Sequence, residues 1–227
     1  MTAKPSCGRR RNGAMRSVLF VLAMLLAPIS AAAQGVVPEC RVTRLAASPA
    51  PREALGGLGM PPFHLSDAEI DRTAACLTAA LDRTLAAVRD RAIMGKGWTT
   101  MSSAFRASEH GTFLQVYADG KAAPSYARYE AGARMDEGAT VIKRAFRVEA
   151  DGRARPYRVY VMERMRAGYE PGVNDWRFAA YESDGTLVGE TGGRANARVR
   201  FCAECHQAGR AQDYLLFVPP RHRIDAR

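Results

Sequence analysis

The sequence predicts an α+β fold, in which an antiparallel β-sheet is flanked by an N-terminal helix and a C-terminal helix. Three observations support this fold class. An amphipathic segment begins at Ser66, the pattern changes after Trp98 to short extended runs between turn residues, and a compact Cys/His motif lies at 202–206. Apolar residues at steps of three and four predict a helix, whereas β-branched and aromatic runs bounded by Gly, Pro and Asp predict strands.

The first 33 residues have the features of an export signal. They contain five basic and no acidic residues, an apolar run over 18–29, and the small residues Ser30-Ala31-Ala32-Ala33. This is a basic region, an apolar region too short to span a bilayer, and a cleavage site. We therefore predict a signal peptide over 1–33 and a periplasmic mature protein without stable membrane insertion; an uncleaved membrane anchor is the alternative.

Loss of this segment changes the charge balance of the chain. The full sequence has 33 Lys and Arg against 23 Asp and Glu, and removal of five basic residues leaves 28 against 23, a net charge of +5 rather than +10. The remaining basic residues are scattered among acidic ones, as on a solvated surface. We expect no nucleic-acid partner.

Residues 34–65 are predicted to form an irregular lead-in because they are rich in Ala, Pro and Gly, and 66–227 to form a single domain. Ser66 and Glu69 form a capping-box pattern at the start of a helix that should end near Gly95. Its apolar stripe predicts a core helix and consists of Ile70, Ala74, Leu77, Leu81, Leu85 and Val88.

The middle of the chain is predicted to be an antiparallel sheet. The four extended runs are 113–117, 139–149, 157–165 and 176–181. Asp151-Gly152 between the second and third runs is the best hairpin signal, although its loop is longer than two residues.

The motif Cys202-Ala203-Glu204-Cys205-His206 has the spacing of a covalent haem c attachment site. On one helical turn, both thiols can form thioethers to the haem vinyl groups, and the adjacent His206 then becomes the axial ligand of the iron. A disulfide or half of a zinc site is the alternative, but zinc needs further Cys or His at matched spacing, and none is nearby. We predict one haem c per chain and a C-terminal haem-attachment helix.

Cys40 and Cys76 remain as an even pair once Cys7 leaves with the signal peptide and the haem takes two thiols. In an oxidising compartment they are expected to form a disulfide that joins the N-terminal segment to the first helix.

The order of several motifs resembles the cytochrome P-460 family, which includes the β-sheet cytochromes c-prime. The resemblance covers roughly residues 66–220. The motifs that carry it are 138–143, 161–163, 168–171, Asp175-Trp176, 202–206 and Asp213-Tyr214. It implies a five-coordinate iron that is open to small nitrogen species, a homodimer, and a Lys143 that matches the lysine cross-linked to the haem macrocycle in the cytochromes P-460 proper.

The residues themselves leave the role of Lys143 open. Alternation places it on the strand face of Ala139 and Val141, where a lysine must reach water or meet a partner such as a haem propionate. Glu163 lies close to the position of the family's distal carboxylate and is a candidate general base, although it could instead pair with a neighbouring arginine. We therefore predict Glu163 and Lys143 as catalytic residues.

Two function classes remain open at this point. The protein is either a haem oxidoreductase that oxidises hydroxylamine or nitric oxide and passes electrons to a soluble redox partner, or a non-catalytic haem protein that binds gas or carries electrons. The second class includes a six-coordinate His/Met iron, for which Met162 or Met165 would be the ligand. His110 is a further candidate distal ligand or propionate contact, although a structural role is the simpler interpretation.

Overall fold

The computed structural model describes residues 39–47 and 62–224, so the predicted signal peptide and part of the lead-in lie outside the described residues. The helices are α1 (Asp67–Ala87), α2 (Ala123–Tyr126) and α3 (Arg200–His206). The strands are β1 (Ala46–Ala47), β2 (Phe63–His64), β3 (Trp98–Thr100), β4 (Arg106–Ser108), β5 (Thr112–Asp119), β6 (Thr140–Val148), β7 (Ala154–Arg164), β8 (Trp176–Glu182) and β9 (Leu187–Glu190).

Seven strands form one antiparallel sheet in the order β3-β5-β6-β7-β8-β9, with β4 pairing with β5. The predicted α+β class is therefore confirmed, with α1 before the sheet and α3 after it. The predicted hairpin is also found, because Val148 pairs with Ala154 on either side of Asp151-Gly152. Since strands that follow one another in sequence also pair, β5 to β9 form a meander whose register is set locally.

Helix α1 begins at the predicted capping box, in which Ser66 and Glu69 exchange side-chain and backbone hydrogen bonds. It ends at Ala87 rather than near Gly95, because Val88 is extended with a ψ of 126°. The reason is a tertiary contact: Asp90 is held by Arg177 of β8 at 2.6 Å, which takes the chain away from the helix axis. No helix within the described residues is both long enough and apolar enough to cross a membrane.

The two faces of the sheet have separate cores. On the first face, α1 packs over a core that includes Phe113, Phe146 and Val148, and a neighbouring cluster contains Ile142 and Val161. The second face is covered by the C-terminal segment and by the chain between β5 and β6. Its buried residues include Val116, Val141, Ala145, Tyr160, Met162, Trp176, Phe178, Val199, Cys202 and Leu215.

The predicted disulfide is confirmed: Cys40 and Cys76 are bonded, with a Cα–Cα distance of 5.9 Å. The same N-terminal segment lies against the β6–β7 hairpin, where Val42 N–H donates to Gly152 O and Ala154 N–H donates to Cys40 O. The described parts of the lead-in thus contain little regular structure beyond β1 and β2, but they are attached to both α1 and the sheet.

Candidate haem-binding site

Helix α3 brings the Cys/His motif to a cleft beside the second face of the sheet. The cleft encloses about 910 Å³ of empty space, including its open mouth. Cys202 and His206 are buried and Cys205 is exposed, and both thiols are free. Val199, fully buried just before α3, holds the start of this seven-residue helix against the core.

The ring of His206 is oriented by the backbone that follows it. Its Nδ1 lies 2.6 Å from the carbonyl oxygen of Tyr214, so Nδ1 carries the proton and donates it to that oxygen. Burial lowers the pKa of His206 to about 3, with a smaller contribution from the nearby Lys143 ammonium. The imidazole is therefore neutral, and Nε2 is the nitrogen available to a metal.

Lys143 projects from β6 into the same cleft. Its strand partners are Val116 of β5 and Tyr160 of β7, and both lie on the second face of the sheet. Among the described residues, the Lys143 ammonium has no hydrogen-bond or ion-pair partner. Burial lowers its pKa, an effect opposed in part by Cys202 and Cys205. The structure therefore brings Lys143, Cys202, Cys205 and His206 together, as the sequence predicted.

His110 joins this group from the turn between β4 and β5. Its ring stacks on Tyr160, with a centroid distance of 4.6 Å, and its Nδ1 is buried and has no hydrogen-bond partner in the part of the chain that the structure describes. Burial lowers the pKa of His110 to about 3, again with help from Lys143. The sequence left His110 open between a haem contact and a structural role, because no motif marks it. Its position on the cleft becomes clear only from the register of β5 and β7.

The catalytic role predicted for Glu163 needs correction. Glu163 pairs with Arg177 at 3.0 Å and lies directly opposite it across β7 and β8. Its sequence neighbour Met162 and the neighbour of Arg177, Phe178, belong to the core of the second face. Because alternate residues of a strand point to opposite faces, the carboxylate of Glu163 lies on the α1 face, with Asp90, and not in the cleft.

The remaining walls of the cleft are largely apolar. Phe201, Leu216, Phe217, Val218 and Pro219 line it, and Leu114 and Val116 form its floor. Leu216 and Phe217 line the cleft, whereas the preceding Tyr214 and Leu215 are buried in the core. No methionine of the described residues lines the cleft; Met162 lines a smaller adjoining cavity with His206.

These residues fit a covalently attached haem. Two free thiols precede a neutral histidine that has one nitrogen fixed and the other available, and the largely apolar walls contain a His110 Nδ1 that has no partner among the described residues. The zinc alternative has no support, because the described residues contain no group of three or more His, Cys, Asp or Glu that could hold a metal ion. Fold and site together define a haem-binding protein built on an antiparallel sheet.

The comparison with protein families agrees with this class. The family model of cytochrome P460 matches residues 96–217, more than half of the 227-residue chain. The chain therefore belongs to the cytochrome P460 family, and a haem cofactor follows from that membership. No curated protein sequence matches the chain. The matched range includes every residue of the cleft named above except those at its rim from Val218 onward.

Proposed function

We propose that the protein is a periplasmic mono-haem c-type cytochrome whose open iron binds or oxidises small nitrogen species such as hydroxylamine or nitric oxide. The observation that carries the proposal is the convergence of Cys202, Cys205, His206 and Lys143 on one apolar cleft. Cys202 and Cys205 would hold the haem through thioethers, and His206 would ligate its iron through Nε2. When bound, the haem would supply a site for a small ligand and a route for electrons to a soluble redox partner.

Two groups of the chain are placed to handle protons in this cleft. Burial lowers the pKa of Lys143 below its ordinary value, and burial lowers the pKa of His110 to about 3, so the His110 imidazole is neutral over the physiological range. Both lie in the cleft, and Nδ1 of His110 is buried without a hydrogen-bond partner among the described residues. The neutral imidazole can accept a proton from hydroxylamine, and a lysine of lowered pKa releases its own proton more readily and can then accept one in turn. Lys143 and His110, rather than Glu163, are therefore our candidates for general-base work.

The apolar lining favours an open coordination position over a His/Met pair. Aromatic and aliphatic side chains make up much of the lining of the cleft, none of the described methionines is among them, and a small uncharged ligand such as nitric oxide or hydroxylamine can enter it. The alternative function is a non-catalytic electron carrier or gas-binding cytochrome. The observation that favours it is Met162, which lines the smaller cavity together with His206.

Optical spectra of the exported, haem-loaded protein separate these functions. We expect a high-spin ferrous spectrum that changes on addition of nitric oxide, and hydroxylamine-dependent reduction of an added electron acceptor. A low-spin ferrous spectrum that nitric oxide leaves unchanged would overturn the open-iron proposal. Open iron with no hydroxylamine turnover would support gas binding alone.

Three variants assign the roles. Cys202→Ala with Cys205→Ala should abolish covalent haem attachment, measured by the mass of the intact chain. Lys143→Ala should lower hydroxylamine turnover at least tenfold. Lys121→Ala is the matched control, since Lys121 is an exposed lysine outside the cleft and should leave turnover unchanged. Intact mass also shows whether Lys143 is bonded to the macrocycle, and sedimentation analysis tests the expected homodimer.

A further inference from the structure

The turn that follows the Cys/His motif has an uncommon backbone. Asp213 and Tyr214 are consecutive non-glycine residues with positive φ values of 56° and 61°. This left-handed region costs an L-residue roughly 1–2 kcal/mol, and although Asp tolerates it, an aromatic residue does so rarely. The consequence of the turn is that Tyr214 O points back to Nδ1 of His206 at 2.6 Å.

The side chain of Asp213 holds this turn in place. It is buried, with 4% of its surface exposed. One carboxylate oxygen accepts the backbone N–H of Met135 at 2.8 Å, and the other accepts Nδ2 of Asn174 at 2.6 Å. A guanidinium nitrogen of Arg164 lies 3.5 Å from the second oxygen.

The backbone of Asp213 is anchored as firmly as its side chain. Its carbonyl oxygen accepts the indole N–H of Trp176 at 2.8 Å, and Trp176 is fully buried at the start of β8. The N–H of Tyr214 donates to Gly209 O at 2.8 Å. Residue 213 is thus joined to the end of β7, to the loop before β8, to β8 itself and to the segment before β6.

We propose that Asp213 is the positioning residue of the axial ligand, acting through the Tyr214 carbonyl on His206. By fixing the left-handed turn, Asp213 sets the length and direction of the hydrogen bond from His206 Nδ1–H. A histidine that donates such a bond is a more basic metal ligand and stabilises the oxidised metal. The proposal rests on the proposed function, because it concerns the histidine that would ligate the haem iron.

A purely structural role for Asp213 makes a different prediction. If the carboxylate only stabilised the fold, its loss would resemble the loss of any buried, well-bonded carboxylate. Asp90 provides the matched control, since it is buried and bonded to Arg177 at 2.6 Å, but lies on the α1 face. Asp90→Asn should lower the free energy of unfolding but leave the conformation of the turn at 207–215 unchanged.

The test compares Asp213→Ala, Asp213→Asn and Asp90→Asn in the haem-loaded protein. The readouts are the reduction potential and the iron–histidine stretching frequency of the ferrous protein. Asp213→Ala should shift the potential to more positive values and lower the stretching frequency, because His206 donates less electron density. Asp213→Asn keeps one acceptor for Met135 N–H and tolerates positive φ, so its shifts should be smaller and of the same sign.

Each outcome decides the proposal. If Asp213→Ala leaves both quantities equal to those of Asp90→Asn, the positioning role is refuted. If Asp213→Ala does not accumulate, Asp213→Asn decides alone, and wild-type values in that variant refute the role. Absence of covalent haem from the wild-type chain, shown by its mass, would instead refute the proposed function; a haem-loaded wild type with unresponsive Asp213 variants refutes only the inference.

Discussion

Replacing Glu163 with Gln should lower the free energy of unfolding and leave ligand binding in the cleft unchanged. Replacing Lys143 with Ala should change ligand binding in the cleft without weakening the fold. Both residues resemble catalytic groups in the sequence, but they lie on opposite faces of the sheet. Arg177 binds three carboxylates, those of Asp90 at 2.6 Å and of Glu163 and Glu190 at 3.0 Å. Glu163→Gln leaves Arg177 with the other two.

The expected cost of Glu163→Gln follows from its exposure. The side chains of Glu163 and Arg177 are 20% and 10% exposed, so their pair is shielded only in part from solvent. A partly exposed ion pair of this kind contributes about 1 kcal/mol, and glutamine retains an acceptor oxygen. Burial lowers the pKa of Lys143, which means that folding carries a cost for burying this group; Lys143→Ala removes that cost, so the free energy of unfolding should not fall.

Urea unfolding and nitric oxide titration of the same haem-loaded samples measure the two effects. Glu163→Gln should lower the free energy of unfolding and leave ligand affinity within a factor of two of wild type. Lys143→Ala should change ligand affinity and the optical spectrum. The assignment of faces would be refuted by a Glu163→Gln protein of unchanged stability whose ligand affinity falls tenfold.

Three further predictions concern stability. Replacing Cys40 and Cys76 with Ala opens a crosslink across a sequence separation of 36 residues and should lower the free energy of unfolding by about 4 kcal/mol in non-reducing urea titrations. The pKa of His110 is lowered from 6.5 to about 3, so the unfolded chain binds a proton that the folded chain does not, and stability should fall as pH drops below 6.5. Between pH 7 and 4.5 this amounts to about 2.5 kcal/mol, and His110→Gln should show a loss smaller by that amount; equal losses in both proteins would contradict the burial of His110. Gly209→Ala would bring a Cβ atom into overlap with the carbonyl oxygen of Leu215 and should cost about 2 kcal/mol, measured by urea unfolding, while Ala208→Gly serves as a neighbouring exposed control.

The sequence predicts the fold well where the pattern is local. The capping box at Ser66, the hairpin at Asp151-Gly152 and the side of β6 that carries Lys143 each depend on a few neighbouring residues, and the structure contains all three. The predicted C-terminal end of α1 was wrong, because the true end depends on the contact of Asp90 with Arg177, which lies 87 positions later in the sequence. Short strands such as β3 and β9 have too few residues for a period to appear.

The site residues can also be divided into those that a local motif predicts and those whose position depends on distant parts of the chain. The Cys/His motif is a local chemical unit, so its spacing alone predicts the attachment residues and the axial ligand. Glu163 was misassigned because resemblance gives an approximate sequence position, and a shift of one residue in a strand moves a side chain to the opposite face. His110 carries no motif and reaches the cleft only because β5 and β7 both pair with β6.

In strands β6, β7 and β8, alternate side chains point to opposite faces of the sheet: one set faces the cleft and its core, and the other forms ion pairs on the α1 face. Lys143, Met162 and Phe178 belong to the cleft and its core, while each has a charged neighbour on the α1 face. Those neighbours are Arg144, Glu163 and Arg177, and all three form ion pairs there. These three charged groups are therefore paired on the α1 face and do not enter the cleft beside Lys143. A substitution on one face should consequently change either the free energy of unfolding or the ligand chemistry, and a variant that changes both would show that the faces are coupled through the backbone of these strands.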